Sequence, residues 1–134
     1  MKANILCIED NEQNLYLVRI IMEANGHVFY AADNGKKGIE MAISLHPDLI
    51  LLDIQLPAMD GYAVARELRK HPEIANVPII AVTSYAMIGD REKSLAAGCT
   101  DYIEKPINPD TFLQQVERHL PLQGKDAPAM PSQS

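Results

Sequence analysis

The sequence has only two cysteines, no excess of basic residues and no long apolar segment. Cys7 and Cys99 are not accompanied by histidines at metal-site spacing, so two free thiols in a reducing compartment are expected. The net charge of −6 argues against binding to nucleic acid or to an anionic membrane, since both need a basic patch. No stretch has the length of a membrane span or of a secretory signal. The protein is therefore expected in the cytoplasm.

The length and apolar content of the chain suit one globular domain. Its 134 residues can bury a core without disulfides or structural metal, but they are too few for two domains of usual size. Hydrophobic residues make up 47% of the chain, which excludes a wholly disordered protein. From Pro121 onward, glycine, proline and polar residues follow without periodicity. We predict one domain over residues 1–121 and a disordered tail over residues 122–134.

Short apolar runs separated by helical patterns indicate an α/β fold. Three continuous runs, at residues 5–8, 49–52 and 79–82, are typical of strands covered by helices on both faces. Weaker strand patterns occur at residues 28–31 and 101–103. Helical spacing of apolar residues covers residues 12–24, 35–45, 62–70, 89–97 and 108–120. The alternation predicts a doubly wound, flavodoxin-like sheet of five parallel strands in the order 2-1-3-4-5.

Polar residues follow the apolar runs where the strands end. They are Glu9, Asp10, Asp53, Thr83 and Lys105. Because the ends of the first, third, fourth and fifth strands are neighbours in this sheet order, the five side chains are expected to converge on one small patch. Three carboxylates in one place need raised pKa values or a cation to neutralise them. Carboxylate oxygens suit Mg²⁺, whereas the lack of soft ligands disfavours zinc and copper.

A carboxylate beside a bound cation can accept a phosphoryl group. It attacks phosphorus and forms an aspartyl phosphate, and the transfer needs mainly positioning and charge neutralisation. The ammonium of Lys105 can supply part of that neutralisation, and Thr83 can donate a hydrogen bond to a phosphoryl oxygen. Each residue alone has an ordinary structural explanation, such as a helix N-terminus for an acidic pair. Their convergence at one sheet edge favours a site for phosphoryl chemistry.

Four segments make the chain resemble the receiver domains of two-component response regulators over residues 3–120. In order, they are CIEDN, PDLILLDIQLPAMDG, PIIAVTS and AAGCTDYIEKP. The resemblance implies that Asp53 is the phosphoacceptor. It also implies that Asp10 and Asp53 ligate Mg²⁺ (or Mn²⁺), with help from Glu9 and from the backbone carbonyl of Gln55. Many receivers have an aspartate at the position of Glu9.

The resemblance further assigns residues that respond to the phosphoryl group. Thr83 and Lys105 match the pair that contacts it, and the Lys105–Pro106 bond matches a peptide that is usually cis in the family. Tyr102 matches an aromatic residue that turns inward as the threonine moves toward the phosphate. Phosphorylation would then change a surface formed by the fourth helix, the fifth strand and the fifth helix.

The function implied is that of a signalling switch rather than an enzyme. A sensor histidine kinase or a histidine phosphotransfer protein would supply the phosphoryl group. The domain would assist its own phosphorylation and dephosphorylation, which Gln55 and Tyr85 are placed to tune. No output domain is predicted after the fifth helix, so a downstream protein target is the expected partner. The four histidines are expected in turns or at helix ends, mostly as helix-end cations and without a phosphodonor role.

Other functions stay open at this point. The same chemistry fits a phosphorelay intermediate or a phosphate sink, which would pass the phosphoryl group on. A flavodoxin-like protein that binds FMN would need a phosphate-binding loop after the first strand, whereas the acidic residues 9–12 would repel phosphate. A scaffold that works without phosphate is opposed by the intact set of acidic residues, threonine and lysine.

Overall fold

The computed structural model describes residues 2–84 and 89–120. In these residues, five strands alternate with five α-helices, and a short 3₁₀ helix follows the third α-helix. The elements are β1 (Asn4–Ile8), α1 (Glu12–Ala24), β2 (Val28–Ala32), α2 (Gly35–Leu45), β3 (Leu49–Asp53), α3 (Gly61–Arg69), the 3₁₀ helix (Pro72–Ile74), β4 (Ile79–Thr83), α4 (Asp90–Ala96), β5 (Asp101–Glu104) and α5 (Pro109–Glu117). The predicted alternation is confirmed. Tyr85 and the predicted tail lie outside the described residues.

The five strands form one parallel sheet in the order 2-1-3-4-5, as predicted. Asp53, the last residue of β3, is aligned with Val82 of β4. Thr83, the last residue of β4, is aligned with Glu104 of β5. The carboxyl ends of β3, β4 and β5 therefore lie side by side, and the residues that follow them share one edge of the sheet.

Hydrophobic clusters cover both faces of the sheet. On β3, Leu49 and Leu51 face the cluster that contains residues of α1 and α5. Ile50 and Leu52 face the opposite cluster, which contains residues of α2 and α3. All five residues of β3 and of β4 are buried. This double coverage is the reason that the central strands are continuous apolar runs, and it places Asp53 at the end of a fully buried strand.

The loop between β3 and α3 has a tight turn beside the site. The N–H of Met59 donates to the carbonyl of Pro57 at 2.7 Å, and the intervening Ala58 has a φ of +67°. This left-handed conformation is unfavourable for a residue with a Cβ atom. Asp60 then caps α3, since its side chain accepts a hydrogen bond from the N–H of Ala63. The loop thus holds local strain next to an ordinary helix start.

Replacing Ala58 by glycine is expected to stabilise the protein. Glycine removes the steric cost of the positive φ, and we expect a gain of about 0.5–1 kcal/mol in the free energy of unfolding. Ala75 offers a matched control because its φ is −62°, where glycine brings only extra chain entropy. Urea unfolding of both variants decides the matter: equal losses of stability in Ala58→Gly and Ala75→Gly would contradict the strain argument.

Arg69, at the end of α3, joins three neighbouring segments. Its Nε donates to the carbonyl of Gly98 at 2.8 Å, just after α4. Its Nη1 donates to the carbonyls of Ala75 at 2.9 Å and of Val77 at 2.6 Å, beside the 3₁₀ helix. Its Nη2 reaches the hydroxyl of Thr100 at 3.3 Å. One guanidinium therefore donates hydrogen bonds to backbone carbonyl groups that lie outside the helices and the sheet.

Three of the four histidines lie near carboxylates, and two of these pairs involve α5 or the residues just after it, which differs from the expectation of helix-end cations. His27 is buried, its Nδ1 accepts from the N–H of Ala3 at 3.1 Å, and its Nε2 lies 2.7 Å from Glu117 Oε2. Because Nδ1 acts as an acceptor, Nε2 must carry the proton that bonds Glu117. His119 Nε2 lies 2.6 Å from an oxygen of Asp101. Both pairs fasten the end of α5 to the sheet.

None of the helices in residues 2–84 and 89–120 has the length and apolar character that crossing a membrane requires.

Candidate phosphorylation site

Acidic side chains from two neighbouring strands meet at the carboxyl edge of the sheet. Glu9 and Asp10 follow β1, and Asp53 ends β3. One carboxylate oxygen from each residue lies within 4.8 Å of the others. Glu9 and Asp53 are buried, whereas Asp10 is exposed. The structure thus brings together the three carboxylates that the sequence suggested for a cation.

Lys105 reaches this cluster from β5, across the end of β4. Its Nζ lies 3.0 Å from Glu9 Oε1 and 3.5 Å from Asp53 Oδ2, and only 12% of its side chain is exposed. The backbone N–H of Lys105 donates to the carbonyl of Thr83 at 2.7 Å, which fixes the start of the loop. The Lys105–Pro106 peptide bond is cis. The ammonium therefore lies between the two buried carboxylates.

The buried position of Glu9 changes its acidity. Burial is the larger cause, and together with the neighbouring Asp53 carboxylate it raises the pKa of Glu9 to about 7. Lys105 acts in the opposite direction but does not compensate. A divalent cation at this cluster would favour the charged carboxylates and so reverse the shift. When no cation is bound, ionisation of Glu9 is therefore opposed by its burial and by the Asp53 carboxylate.

The stability of the metal-free protein is expected to fall as pH rises toward 8. Glu9 binds its proton more tightly in the folded state than in the unfolded state, so its contribution is full below pH 4.5 and is lost as pH rises through about 7. The expected loss between pH 5.5 and 8 is about 2 kcal/mol. Urea unfolding at pH 5.5 and 8 without Mg²⁺ measures it, with Glu9→Gln as the control. An unchanged pH slope in Glu9→Gln would contradict this assignment.

Gln55 connects the ends of two strands. Its backbone N–H donates to Asp53 Oδ1 at 2.8 Å. Its side-chain Oε1 accepts a hydrogen bond from the backbone N–H of Ser84 at 2.8 Å. Sequence reasoning considered Gln55 as a cation ligand through its backbone carbonyl and as a residue that tunes dephosphorylation, but it missed this side-chain bond. Nothing in the sequence signals it, because it depends on how two loops are placed in the fold.

The cluster opens into a cleft of about 690 Å³. Its lining contains most of the predicted site residues, together with the first turn of α1: Glu9, Asp10, Asn11, Glu12, Gln13, Asn14, Asp53, Gln55, Ser84 and Lys105. Thr83 is buried beside the cleft. Tyr102 lies apart from it, half-buried on β5 against the cluster that contains residues of α2 and α3. The structure therefore brings most of the predicted site residues to one cleft. Tyr102 lies outside this cleft, although it is on the strand that Lys105 follows.

A sequence-family model described as the response regulator receiver domain matches residues 5–117. The chain belongs to this family. The receiver is similar to the polar-differentiation response regulator DivK of Brucella ovis, with 39% identity over 120 residues that cover 90% of this chain and 98% of DivK. The predicted family and its place in two-component signalling are thus confirmed.

Solved structures support the same assignment. The receiver domain of the sensor histidine kinase PA1611 from Pseudomonas aeruginosa matches with a TM-score of 0.80 and 34% identity, over 88% of this chain and 97% of that one. In that protein, a magnesium ion is coordinated in the active-site cleft. The chemotaxis protein CheY4 of Vibrio cholerae matches with a TM-score of 0.85 at 24% identity, over 90% of this chain and 100% of that one, and shows the same fold. Membership of the receiver family decides against the alternative of a flavodoxin-like protein that binds FMN.

Proposed function

We propose that this receiver accepts a phosphoryl group on Asp53 and that the modification switches a protein-binding surface. The observation that carries the proposal is the arrangement of Glu9, Asp10 and Asp53 around the ammonium of Lys105, in an open cleft. Asp53 suits the acceptor role because its Oδ1 is held by the N–H of Gln55 while its Oδ2 faces Lys105. One carboxylate oxygen is thereby oriented and the other lies beside a cation that can balance added charge.

The donor set fits Mg²⁺ or Mn²⁺. Carboxylate oxygens of Glu9, Asp10 and Asp53 lie within 4.8 Å of one another, and the backbone carbonyl of Gln55 is the proposed further ligand. When bound, the ion supplies positive charge to the phosphoryl oxygens during transfer. Glu9 already pairs with Lys105, so a role for Glu9 partly through water fits its position. The magnesium ion of the related PA1611 receiver supports this assignment.

Different residues at the cleft have different roles in the phosphoryl transfer. An oxygen of Asp53 attacks the phosphorus of a phosphohistidine, so that a P–O bond forms while the P–N bond breaks. The leaving imidazole keeps the bonding electron pair and takes up a proton from solvent. Lys105 balances the negative charge that arrives on Asp53, and the hydroxyl of Thr83 donates a hydrogen bond to a phosphoryl oxygen. Hydrolysis of the acyl phosphate by water restores the carboxylate and ends the signal.

The output is proposed to be a change in the surface formed by α4, β5 and α5. Tyr102 of β5 is aligned with Ala81 of β4, two residues before Thr83. A movement of Thr83 toward the phosphoryl group is therefore adjacent to the strand that carries Tyr102. A sensor histidine kinase or a histidine phosphotransfer protein is the proposed donor, and a downstream protein is the proposed target.

The proposal is tested by adding Mg²⁺ and acetyl phosphate to the purified protein. Intact-mass spectrometry is expected to show one added phosphoryl group, and the matched Asp53→Asn variant is expected to show none. With Mg²⁺ and beryllofluoride, NMR shifts are expected to spread from Asp53 to Tyr102 in the wild type. An identical response in Asp53→Asn, or no response in the wild type, would show that Asp53 is not the acceptor.

A further inference from the structure

The amide group of Gln55 has a fixed orientation in the structure. Its Oε1 lies 2.8 Å from the backbone nitrogen of Ser84, and a backbone N–H can only donate. The oxygen rather than the nitrogen of the amide must therefore face Ser84. Since the N–H of Gln55 also donates to Asp53 Oδ1, this one residue links the acceptor carboxylate to the loop that follows β4.

A phosphoryl group on Asp53 brings three oxygens that need hydrogen-bond donors, and several donors around the cleft already bond carboxylates. Lys105 Nζ faces Glu9 and Asp53, and the N–H of Gln55 is taken by Asp53. The N–H of Asn11 donates to Glu9 Oε2 at 3.2 Å. Each of these bonds ends on a carboxylate, and bonds to charged acceptors are about twice as strong as neutral ones.

The N–H groups of Ser84 and Asn14 differ from these donors because neutral amide oxygens accept them. The bond of Asn14 is the N-cap of α1, so losing it would destabilise the helix, whereas the bond of Ser84 caps none of the described helices. Exchanging the amide oxygen of Gln55 for a charged phosphoryl oxygen replaces a weaker bond with a stronger one. Ser84 directly follows Thr83 and lines the same cleft as Asp53. It is therefore a backbone donor that a phosphoryl group can gain at low cost.

We propose that Gln55 is a positioning residue whose side chain acts as a latch: it holds the Ser84 amide in the resting receiver and releases it to the phosphoryl group. The proposal rests on the phosphorylation of Asp53. Because the latch bond must break before Ser84 can contact the phosphoryl group, Gln55 opposes the contact between the Ser84 amide and the phosphoryl group. The latch therefore stabilises the resting state and sets how readily the receiver switches.

The first test observes the latch bond itself. In isotope-labelled protein, a scalar coupling across the hydrogen bond joins the Ser84 backbone nitrogen to the side-chain carbonyl carbon of Gln55. We expect this coupling in the resting protein and its loss after Mg²⁺ and beryllofluoride are added. A coupling that persists in the beryllofluoride complex would overturn the latch while leaving phosphorylation of Asp53 intact. Failure of beryllofluoride to bind would overturn both proposals.

The second test removes the acceptor and keeps the length of the side chain. Gln55→Met is expected to bind beryllofluoride about 2- to 10-fold more tightly than the wild type in the presence of saturating Mg²⁺, because one neutral hydrogen bond no longer has to break. Gln55→Glu is the matched variant that keeps an acceptor for Ser84, and it is expected to bind no more tightly than the wild type. An unchanged or weaker affinity in Gln55→Met would contradict the latch.

Discussion

Replacing Lys105 by methionine is expected to weaken the binding of beryllofluoride about 100-fold or more and to tighten the binding of Mg²⁺. Methionine has a similar length but no charge, so two carboxylates lose the ammonium that lies 3.0 Å from Glu9 and 3.5 Å from Asp53. A charge pair at such a distance interacts by about 4 kcal/mol at the effective dielectric of a site near the surface. Without the ammonium, the beryllofluoride anion is no longer attracted to the site, so it binds more weakly. The Mg²⁺ cation is no longer repelled, so it binds more tightly.

The opposite signs of the two effects separate an electrostatic role of Lys105 from a purely structural one. Titration with Mg²⁺ alone, followed by beryllofluoride at saturating Mg²⁺, measures both affinities in the same preparation. Lys105→Arg is the matched control because it keeps the positive charge, and its beryllofluoride affinity is expected to stay much nearer the wild type. If both affinities fell together in Lys105→Met, the site would simply be disrupted and the assigned role would be wrong.

Gly61→Ala is expected to destabilise the protein by about 3 kcal/mol and to lower its melting temperature by about 10 °C. A Cβ at this position would lie 2.4 Å from the Cα of Ile54 and 2.7 Å from the carbonyl oxygen of Asp53. Both atoms belong to backbone, which has little room to move at the end of a buried strand. Gly61 is therefore required where α3 rests on the residue that carries the acceptor carboxylate.

The same substitution is expected to reduce phosphorylation by acetyl phosphate, since relief of the clash must move the backbone of Asp53. Arg66→Ala, on an exposed position of α3, serves as the control and is expected to change stability by less than about 0.5 kcal/mol. Thermal unfolding and intact-mass measurement of phosphorylation report the two effects. Wild-type stability in Gly61→Ala would show that α3 shifts freely against β3.

Most of the fold could be predicted because the buried strands have a simple sequence pattern. Residues 49–52 and 79–82 are apolar without interruption, a pattern expected of strands that are covered by helices on both faces. The alternation of such strands with helices predicted the doubly wound sheet and its order. The 3₁₀ helix at Pro72–Ile74 was not predicted, and α5 ends at Glu117 rather than at residue 120. Short turns and helix ends depend on tertiary contacts, such as those of Arg69, that no local pattern shows.

The candidate site was partly predictable for a different reason. Parallel strands bring their carboxyl ends to one edge, so the convergence of Glu9, Asp10 and Asp53 follows from the sheet order alone. The pairing of Lys105 with Glu9 and the bond from Ser84 to Gln55 did not follow, since they depend on side-chain directions in loops. Sequence thus predicted which groups gather, and the structure was needed to show which donor meets which acceptor.

The bond from Arg69 to the carbonyl of Gly98 has a mechanical consequence for α4. It fastens the carboxyl end of this seven-residue helix to α3, on the side away from the phosphorylation site. The amino end begins at Asp90, on the side of the loop that follows Thr83. A force applied to the amino end of α4 would therefore rotate the helix about its attached end at Gly98. The largest displacement would occur at Asp90 and the smallest at Ala96.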